Sequence, residues 1–123
     1  MRLDKFDTAQ MQTTGPLKEG VKFDEGKPPY HLLAPELLEA TASVLSSGAE
    51  KYGERNWEGG MSWSRPFAAL MRHMWAWWRG ENTDDETGMS HLWHAACCIM
   101  FLIAYEERKI GEDNRPRLEE TDT

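Results

Sequence analysis

Apolar residues recur at helical spacing in three segments of the chain, and no segment alternates as a β-strand would. The first segment follows Pro35, a residue suited to the first turn of a helix, and carries spaced apolar residues from Leu37 to Leu45. Glycine commonly ends helices. The pattern therefore predicts a helix from Pro35 that either ends at Gly48 or continues to Gly53.

Two further helices are predicted from similar signals. We interpret Ser64 as the N-cap of the second helix, which has Pro66 just inside it and stops at Gly80. Ser90 is predicted to cap the third helix, which ends near Gly111. The fold class that follows is all-α, a helical bundle.

The ends of the sequence differ in composition from the predicted helices. Glycine and proline interrupt the first thirty residues, and Pro28 and Pro29 bias their neighbours away from helix. We predict a flexible arm over residues 1–21, one helical domain over 22–111 and a charged, frayed tail over 112–123. A length of 123 residues fits a single domain.

The charge balance narrows the class of partner. The formal net charge is −7, whereas duplex-binding proteins neutralise phosphates with a basic surface, so we expect no nucleic-acid partner. An acidic protein can still bind a phosphorylated small molecule through metal ions. No apolar run is long enough to span a bilayer, and the N-terminus lacks the apolar segment of a signal peptide. We therefore expect no membrane partner and a cytoplasmic location.

The two cysteines, Cys97 and Cys98, are adjacent within an apolar run. Neighbouring residues of a helix point in different directions, so they are interpreted as reduced core thiols. An apolar environment disfavours the thiolate, which argues against a cysteine nucleophile.

Two pairs of metal-ligating residue types occur at a spacing of three. Glu36 and Glu39 share a face of the first helix, and His91 and His94 share a face of the third. If compact connections make the helices run up, down and up, the N-terminal ends of these two helices meet, and the acidic turn 81–88 reaches the same end. Carboxylates and imidazoles together suit Mn²⁺, or Mg²⁺ where oxygen dominates. The alternative is that the helix dipole favours the glutamates and that the histidines are ordinary polar groups at a helix edge.

A second constellation of residues could bind phosphate and base. Its central segment, 48–57, contains Gly48 and Gly53, and glycines allow close approach to the backbone. The residues with suitable side chains are Lys51, Arg55, Asn56 and Trp57, with Arg72, His73 and Lys27 as further anion contacts. The alternative is an ordinary helix-ending turn with a packing tryptophan. We interpret four other tryptophans as residues of the core or of a subunit interface: Trp75, Trp77, Trp78 and Trp93.

Four segments together cover roughly residues 22–108: KFDEGKPPYHLLAPELLEA, GAEKYGERNW, RHMWAWWRGE and DDETGMSHLWHAACCIMFLIAYE. These segments resemble a phage family of dATP/dGTP diphosphohydrolases. That family is distantly similar to the MazG-like all-α nucleoside triphosphate pyrophosphohydrolases. The resemblance implies hydrolysis of dGTP or dATP to the monophosphate and pyrophosphate. In phages that replace adenine with 2-aminoadenine, it implies a supply of dGMP for that pathway.

The resemblance also implies a metal site and an oligomer. MazG-like enzymes bind Mg²⁺ or Mn²⁺ through an ExxE motif, which Glu36-Leu37-Leu38-Glu39 matches, and through a later acidic motif. Here His91 and His94 stand in the later motif, with Glu50, Asp84 or Glu86 available to complete the ligands. Dimers or tetramers are expected. The implied roles are metal binding and catalysis for Glu36 and Glu39, phosphate binding for Lys51, Arg55 and Arg72, and purine binding for Asn56 and Trp57.

Two alternatives stay open. One is a metal phosphohydrolase with a different cleavage position, as in HD-type enzymes, although the sequence contains no His-Asp dipeptide. The other is a small acidic phage interaction protein without catalysis. Such a protein would not need the four candidate metal ligands, Glu36, Glu39, His91 and His94.

Overall fold

Helices make up the regular structure of the chain in a computed structural model that describes residues 20–117. Within that range no β-strand is present, and only two isolated β-bridges occur. The all-α prediction is therefore confirmed. None of these helices is long and apolar enough to cross a membrane. The α-helices are α1 (Pro35–Tyr52), α2 (Ser64–Trp78) and α3 (His91–Arg108), and short 3-10 helices cover Tyr30–Leu32 and Asn56–Gly59.

The chain divides into two units, Met1–Ala34 and Pro35–Thr123. In the first unit the described residues include the 3-10 helix Tyr30–Leu32 and a turn, in which the Lys27 N–H donates to the Asp24 carbonyl at 2.9 Å. The predicted arm over residues 1–21 lies almost wholly outside the described residues, as does the end of the predicted tail.

The helix ends follow the capping signals with one difference. The longer of the two predictions for α1 is correct, since the helix continues through Gly48. Ser90 caps α3, because its Oγ accepts a hydrogen bond from the Leu92 N–H at 3.1 Å. Ser64, in contrast, is the first residue of α2 rather than its cap. Its N–H donates to Asn114 Oδ1 at 3.1 Å, so a side chain 50 residues away satisfies the helix terminus.

The helices α2 and α3 form an antiparallel pair that is hydrogen-bonded at both ends. At one end the Trp63 N–H donates to the Glu112 carbonyl, and its indole Nε1–H donates to the Ile110 carbonyl, both at 2.9 Å. At the other end the His91 N–H donates to the Asn82 carbonyl at 3.0 Å. The first part of the predicted frayed tail is therefore held against the start of α2.

Among residues 20–117, one large side chain, that of Tyr105, is fully enclosed, and the other buried apolar residues are small. Tyr105 is 0% exposed, and its hydroxyl donates to the Trp57 carbonyl at 2.7 Å. The Trp57 ring stacks on Phe101 with centroids 5.0 Å apart. Cys97 and Cys98 are free and buried, and burial raises the pKa of Cys97 to about 12. The interpretation of these cysteines as unreactive core thiols agrees with this environment.

The direction of α1 differs from the up-down-up expectation. Lys51, in its last turn, forms an ion pair with Glu86 at 2.9 Å, so α1 ends beside the turn that precedes α3. The connection to α2 is not a compact hairpin. It runs along α3, anchored by Trp57, to the other end of the helix pair. The connection itself thus carries the chain from one end of α3 to the other.

Candidate functional site

Histidines from two helices meet an aspartate at the turn between α2 and α3. His73 lies on α2, His91 is the first residue of α3, and Asp84 lies in the turn. One ligand atom from each of these three residues lies within 4.8 Å of the others. Two imidazole nitrogens and a carboxylate oxygen form a donor set that can bind a divalent metal ion. We call these three residues the histidine–aspartate cluster.

The turn is ordered by the side chain of Asp84. Its Oδ2 accepts hydrogen bonds from the Glu86 N–H at 3.1 Å, the Thr87 N–H at 3.0 Å and the Thr87 hydroxyl at 3.1 Å. Gly88 has a φ of 74°, a left-handed conformation that glycine adopts without strain. Burial alone would raise the pKa of Asp84, but the hydrogen bonds from Thr87 and the nearby His94 outweigh it and lower the pKa. The carboxylate thus holds the turn in its charged form, which is the form that binds metal.

The ring of His91 is held between two partners. The residue is 4% exposed, its Nδ1 lies 2.8 Å from His73 Nδ1, and its Nε2 lies 2.9 Å from Glu81 Oε2. A carboxylate oxygen accepts hydrogen bonds, so Nε2 carries the proton, and in the neutral ring the lone pair of Nδ1 accepts the hydrogen bond from His73 Nδ1–H. That lone pair faces His73, inside the cluster.

A third histidine lies against the cluster. The His94 ring stacks on His73 with centroids 4.6 Å apart and planes 9° apart. Its Nε2 lies 2.7 Å from the Thr87 hydroxyl and 3.9 Å from Asp84 Oδ2. Burial lowers the pKa of both His73 and His94, and for His73 the neighbouring imidazoles lower it further. These rings are therefore neutral at neutral pH, the protonation state in which histidine binds metal.

The predicted metal ligands divide into two groups. Asp84, His91 and His94 come together as described. Glu36 and Glu39 are exposed on the first two turns of α1, and within residues 20–117 they belong to no group of metal-ligating side chains. Glu36 lies 15 positions before Lys51, roughly 22 Å along the helix axis. Because Lys51 marks the end of α1 that approaches the turn, the structure does not bring the glutamates to the histidines.

The predicted phosphate- and base-binding residues are also dispersed. Lys51 is half exposed and paired with Glu86, close to the turn that holds the cluster. Arg72 is exposed on α2 beside His73, whereas Lys27 belongs to the first unit.

The segment 55–57 is engaged in packing. The Arg55 guanidinium pairs with Glu58, and Asn56 begins a 3-10 helix. The Trp57 ring contacts Phe101 and the Arg108 guanidinium. The predicted role of Trp57 in purine stacking would require a surface of the ring that these neighbours leave free.

Comparison with known proteins identifies the family. The model of the family described as dATP/dGTP diphosphohydrolase, N-terminal, matches residues 18–115. The chain belongs to this family. It is 38% identical, over 96 residues, to a protein named dATP/dGTP diphosphohydrolase from Salmonella phage PMBT28, a match that covers 78% of the chain and 33% of that protein. The chain therefore spans about a third of the length of this relative.

Two further proteins match with lower identity. Both are named LPS-assembly protein LptD, one from Shigella flexneri serotype 5b (strain 8401) and one from Shigella flexneri. Each is 29% identical over 86 residues, which cover 69% of the chain and 11% of the LptD sequence. No solved structure matches the chain.

Sequence reasoning missed two residues of the site in this member of the dATP/dGTP diphosphohydrolase family. His73 was predicted only as an anion contact, and Glu81 only as part of an acidic turn. A signal for His73 does exist. In an antiparallel helical hairpin centred on Asn82, positions 73 and 91 are equidistant from the centre and so lie opposite one another. Using that signal requires the centre of the hairpin, which the helix lengths alone do not fix.

Proposed function

We propose that this chain takes part in metal-dependent hydrolysis of purine deoxynucleoside triphosphates. The reaction is dGTP or dATP plus water, giving the deoxynucleoside monophosphate and pyrophosphate. The dGMP product would supply 2-aminoadenine nucleotide synthesis in a phage. The observation that carries the proposal is the histidine–aspartate cluster, at the turn of a chain that belongs to the dATP/dGTP diphosphohydrolase family.

The proposed cofactor is Mn²⁺ or Mg²⁺. His73, Asp84 and His91 would hold it, and His94 would support Asp84 and His73 through contact and stacking. When bound, such an ion supplies positive charge to the phosphates and lowers the pKa of a water molecule. The cluster fits a cation on its donor chemistry, because burial lowers the pKa of His73 and the hydrogen bonds from Thr87 lower the pKa of Asp84, so that the one is neutral and the other charged at neutral pH.

Glu36 and Glu39 remain proposed as metal-binding and catalytic residues. The ExxE spacing supports this role, and so does the exposure of both carboxylates. The neighbouring Leu37 and Leu38 are 46% and 58% exposed, which is typical of a surface that another protein copy covers. In a homo-oligomer the two glutamates would be available to the cluster of a second copy.

Positive side chains near the cluster are proposed to bind the phosphates. Lys51 lies beside the turn, where it pairs with Glu86, and Arg72 is the neighbour of His73 on α2. Arg55, Asn56 and Trp57 are proposed for the nucleoside. Lys27 belongs to the first unit, and its phosphate contact stays a prediction from the sequence. Such charges offset the negative charge that develops during phosphoryl transfer.

The proposed location is the cytoplasm of the host cell, with no nucleic-acid or membrane partner.

A homo-oligomer is proposed from exposed apolar surfaces on α2 and α3. Each helix carries large apolar residues at helical spacing, and each of these residues is at least one third exposed. Stripes of this kind favour contact with another copy of the chain. The residues are Phe67, Met71, Met74, Trp75 and Trp78 on α2, and Leu92, Ile99 and Ile103 on α3.

We expect Trp78→Lys to lower the molecular mass of the protein in solution. Trp78 is 72% exposed, so the substitution removes apolar interface area and adds a charge without disturbing the core. Size-exclusion chromatography with light scattering measures the mass. Ser46→Lys, at an exposed polar position of α1, is the control and should retain the parent mass. A parent protein that is already monomeric would contradict the proposal.

The activity is tested by product analysis. The protein is incubated with each common ribo- and deoxynucleoside triphosphate and Mn²⁺, and the products are resolved by chromatography. Monophosphate and pyrophosphate from dGTP and dATP are expected. Phosphate or triphosphate would indicate the alternative cleavage positions, and no turnover with any nucleotide would favour the acidic interaction protein.

The glutamates have their own test in the same assay. The double variant Glu36→Ala, Glu39→Ala should lose at least about a hundredfold in rate if these residues bind metal. Glu106→Ala, Glu107→Ala removes two exposed glutamates from α3 and is the matched control. Equal rates for the folded double variant and the parent would refute the assignment.

A further inference from the structure

The carboxylate of Glu81 has a contact that neither the ExxE motif nor the predicted ligand set uses. Its Oε2 lies 2.9 Å from Nε2 of His91, on the side of the ring opposite to the cluster. The side chain of Glu81 is 50% exposed, whereas that of His91 is 5% exposed. The buried ring thus makes its outward hydrogen bond to a glutamate at the rim of the turn.

The turn does not depend on this carboxylate for its backbone conformation. The Glu81 N–H donates to the Ala76 carbonyl at 3.0 Å, and the His91 N–H donates to the Asn82 carbonyl. Gly80, with a φ of 98°, supplies the left-handed residue after α2. The Glu81 side chain therefore acts on the ring of His91 rather than on the path of the chain.

Metal-binding histidines commonly donate their second ring N–H to a carboxylate. That hydrogen bond fixes which nitrogen is free and holds the ring in place. In this protein the proton on Nε2 faces Glu81, and the unprotonated Nδ1 faces the cluster, where it accepts a hydrogen bond from His73. The carboxylate and the ring are thus arranged as in a carboxylate–histidine–metal site, in which a metal ion would replace the hydrogen bond from His73.

We propose that Glu81 is a positioning residue that holds His91 Nδ1 ready for a divalent transition-metal ion, and that the resulting site selects Mn²⁺ over Mg²⁺. Selectivity follows from the donor set, since two of the three cluster residues offer imidazole nitrogen. Mg²⁺ prefers oxygen ligands and retains its water, whereas imidazole suits first-row transition metals. The inference rests on the proposed function only in that both invoke a metal at this cluster.

The test measures binding of the metal alone to the full chain. Calorimetry with Mn²⁺ and with Mg²⁺, and the electron paramagnetic resonance signal of free Mn²⁺, give the two affinities. We expect Mg²⁺ to bind at least about tenfold more weakly than Mn²⁺. Glu81→Gln should weaken Mn²⁺ binding by about 10- to 100-fold. Asp85→Asn changes another exposed carboxylate of the same turn, one with no assigned role, and should leave the Mn²⁺ affinity unchanged.

A spectroscopic measurement on the parent protein removes any dependence on how the variant folds. Nitrogen-15 spectra of the histidine rings identify the protonated nitrogen, and metal-free His91 should carry its proton on Nε2. A proton on Nδ1 would overturn the proposal, as would an Mn²⁺ affinity of Glu81→Gln equal to that of the parent. Equal Mg²⁺ and Mn²⁺ affinities would overturn the selectivity.

The two proposals fail in different ways. Tight Mn²⁺ binding that depends on Glu81, without turnover of any nucleotide, would retain the metal site and reject the proposed hydrolysis. Hydrolysis of dGTP together with an unchanged Mn²⁺ affinity in Glu81→Gln would retain the activity and reject the positioning role.

Discussion

Replacing Asp84 with asparagine is expected to reduce the rate of dGTP hydrolysis by about a hundredfold or more, the scale of a metal ion's contribution to charge stabilisation. Asparagine keeps one oxygen, which can accept the hydrogen bonds that Asp84 Oδ2 receives from Glu86 and Thr87. Its amide nitrogen replaces the second oxygen, and the charge is lost. The turn can then form while its ability to hold a cation is removed.

The adjacent aspartate supplies the matched control for this variant. Asp85→Asn makes the same chemical change at an exposed residue, and its rate should stay within about twofold of the parent. The assay is steady-state dGTP hydrolysis with Mn²⁺, and a thermal melt of each variant shows that both fold. Parent-like turnover by folded Asp84→Asn would exclude the cluster from the reaction.

Replacing Gly111 with alanine is expected to lower the free energy of unfolding by about 3 kcal/mol or more. Gly111 has a φ of 81°, and an added Cβ would overlap the carbonyl oxygen of Met61 and lie 3.1 Å from Trp63 Nε1. Both neighbours are fixed, because Trp63 is hydrogen-bonded to Ile110 and Met61 accepts from Glu112. The substitution is therefore expected to separate residues 110–112, which follow α3, from Met61 and Trp63, which precede α2.

Gly53 separates the backbone effect from the steric one. Its φ is 97°, but a Cβ there would meet no atom within 4 Å. Gly53→Ala should therefore cost only the strain of the left-handed conformation, about 1–2 kcal/mol. Urea denaturation followed by circular dichroism gives both values. Equal destabilisation by the two variants would mean that the backbone contact at Gly111 can relax.

Local signals determined how much of the fold the sequence predicted. Pro35 and Ser90 mark helix starts because their preferences act within one turn of the chain. Ser64 was assigned as a cap because the sequence does not indicate that Asn114 would satisfy its N–H. The direction of α1 was also wrong in the expectation, since it depends on the long-range packing of Trp57 against α3.

The residues of the candidate site also divide into those predicted from local signals and those that depend on long-range packing. Asp84, His91 and His94 are close in the chain, so the expectation that they meet required only one turn and one helix. His73 comes from the facing helix, and its partnership with His91 depends on the register of the pair. The role of Glu36 and Glu39 stays a prediction, because their distance from the histidines depends on how whole helices are arranged.

The hydrogen bonds at both ends of the α2–α3 pair bear on how the protein opens in solution. Helix pairs usually exchange their amide hydrogens for deuterium from a free end inwards. Here Trp63 is tied to Glu112 at one end and Asn82 to His91 at the other. Exchange in the middle of α3 should therefore require both ties to break together, so deuterium uptake around Cys97 would report the opening of the entire pair.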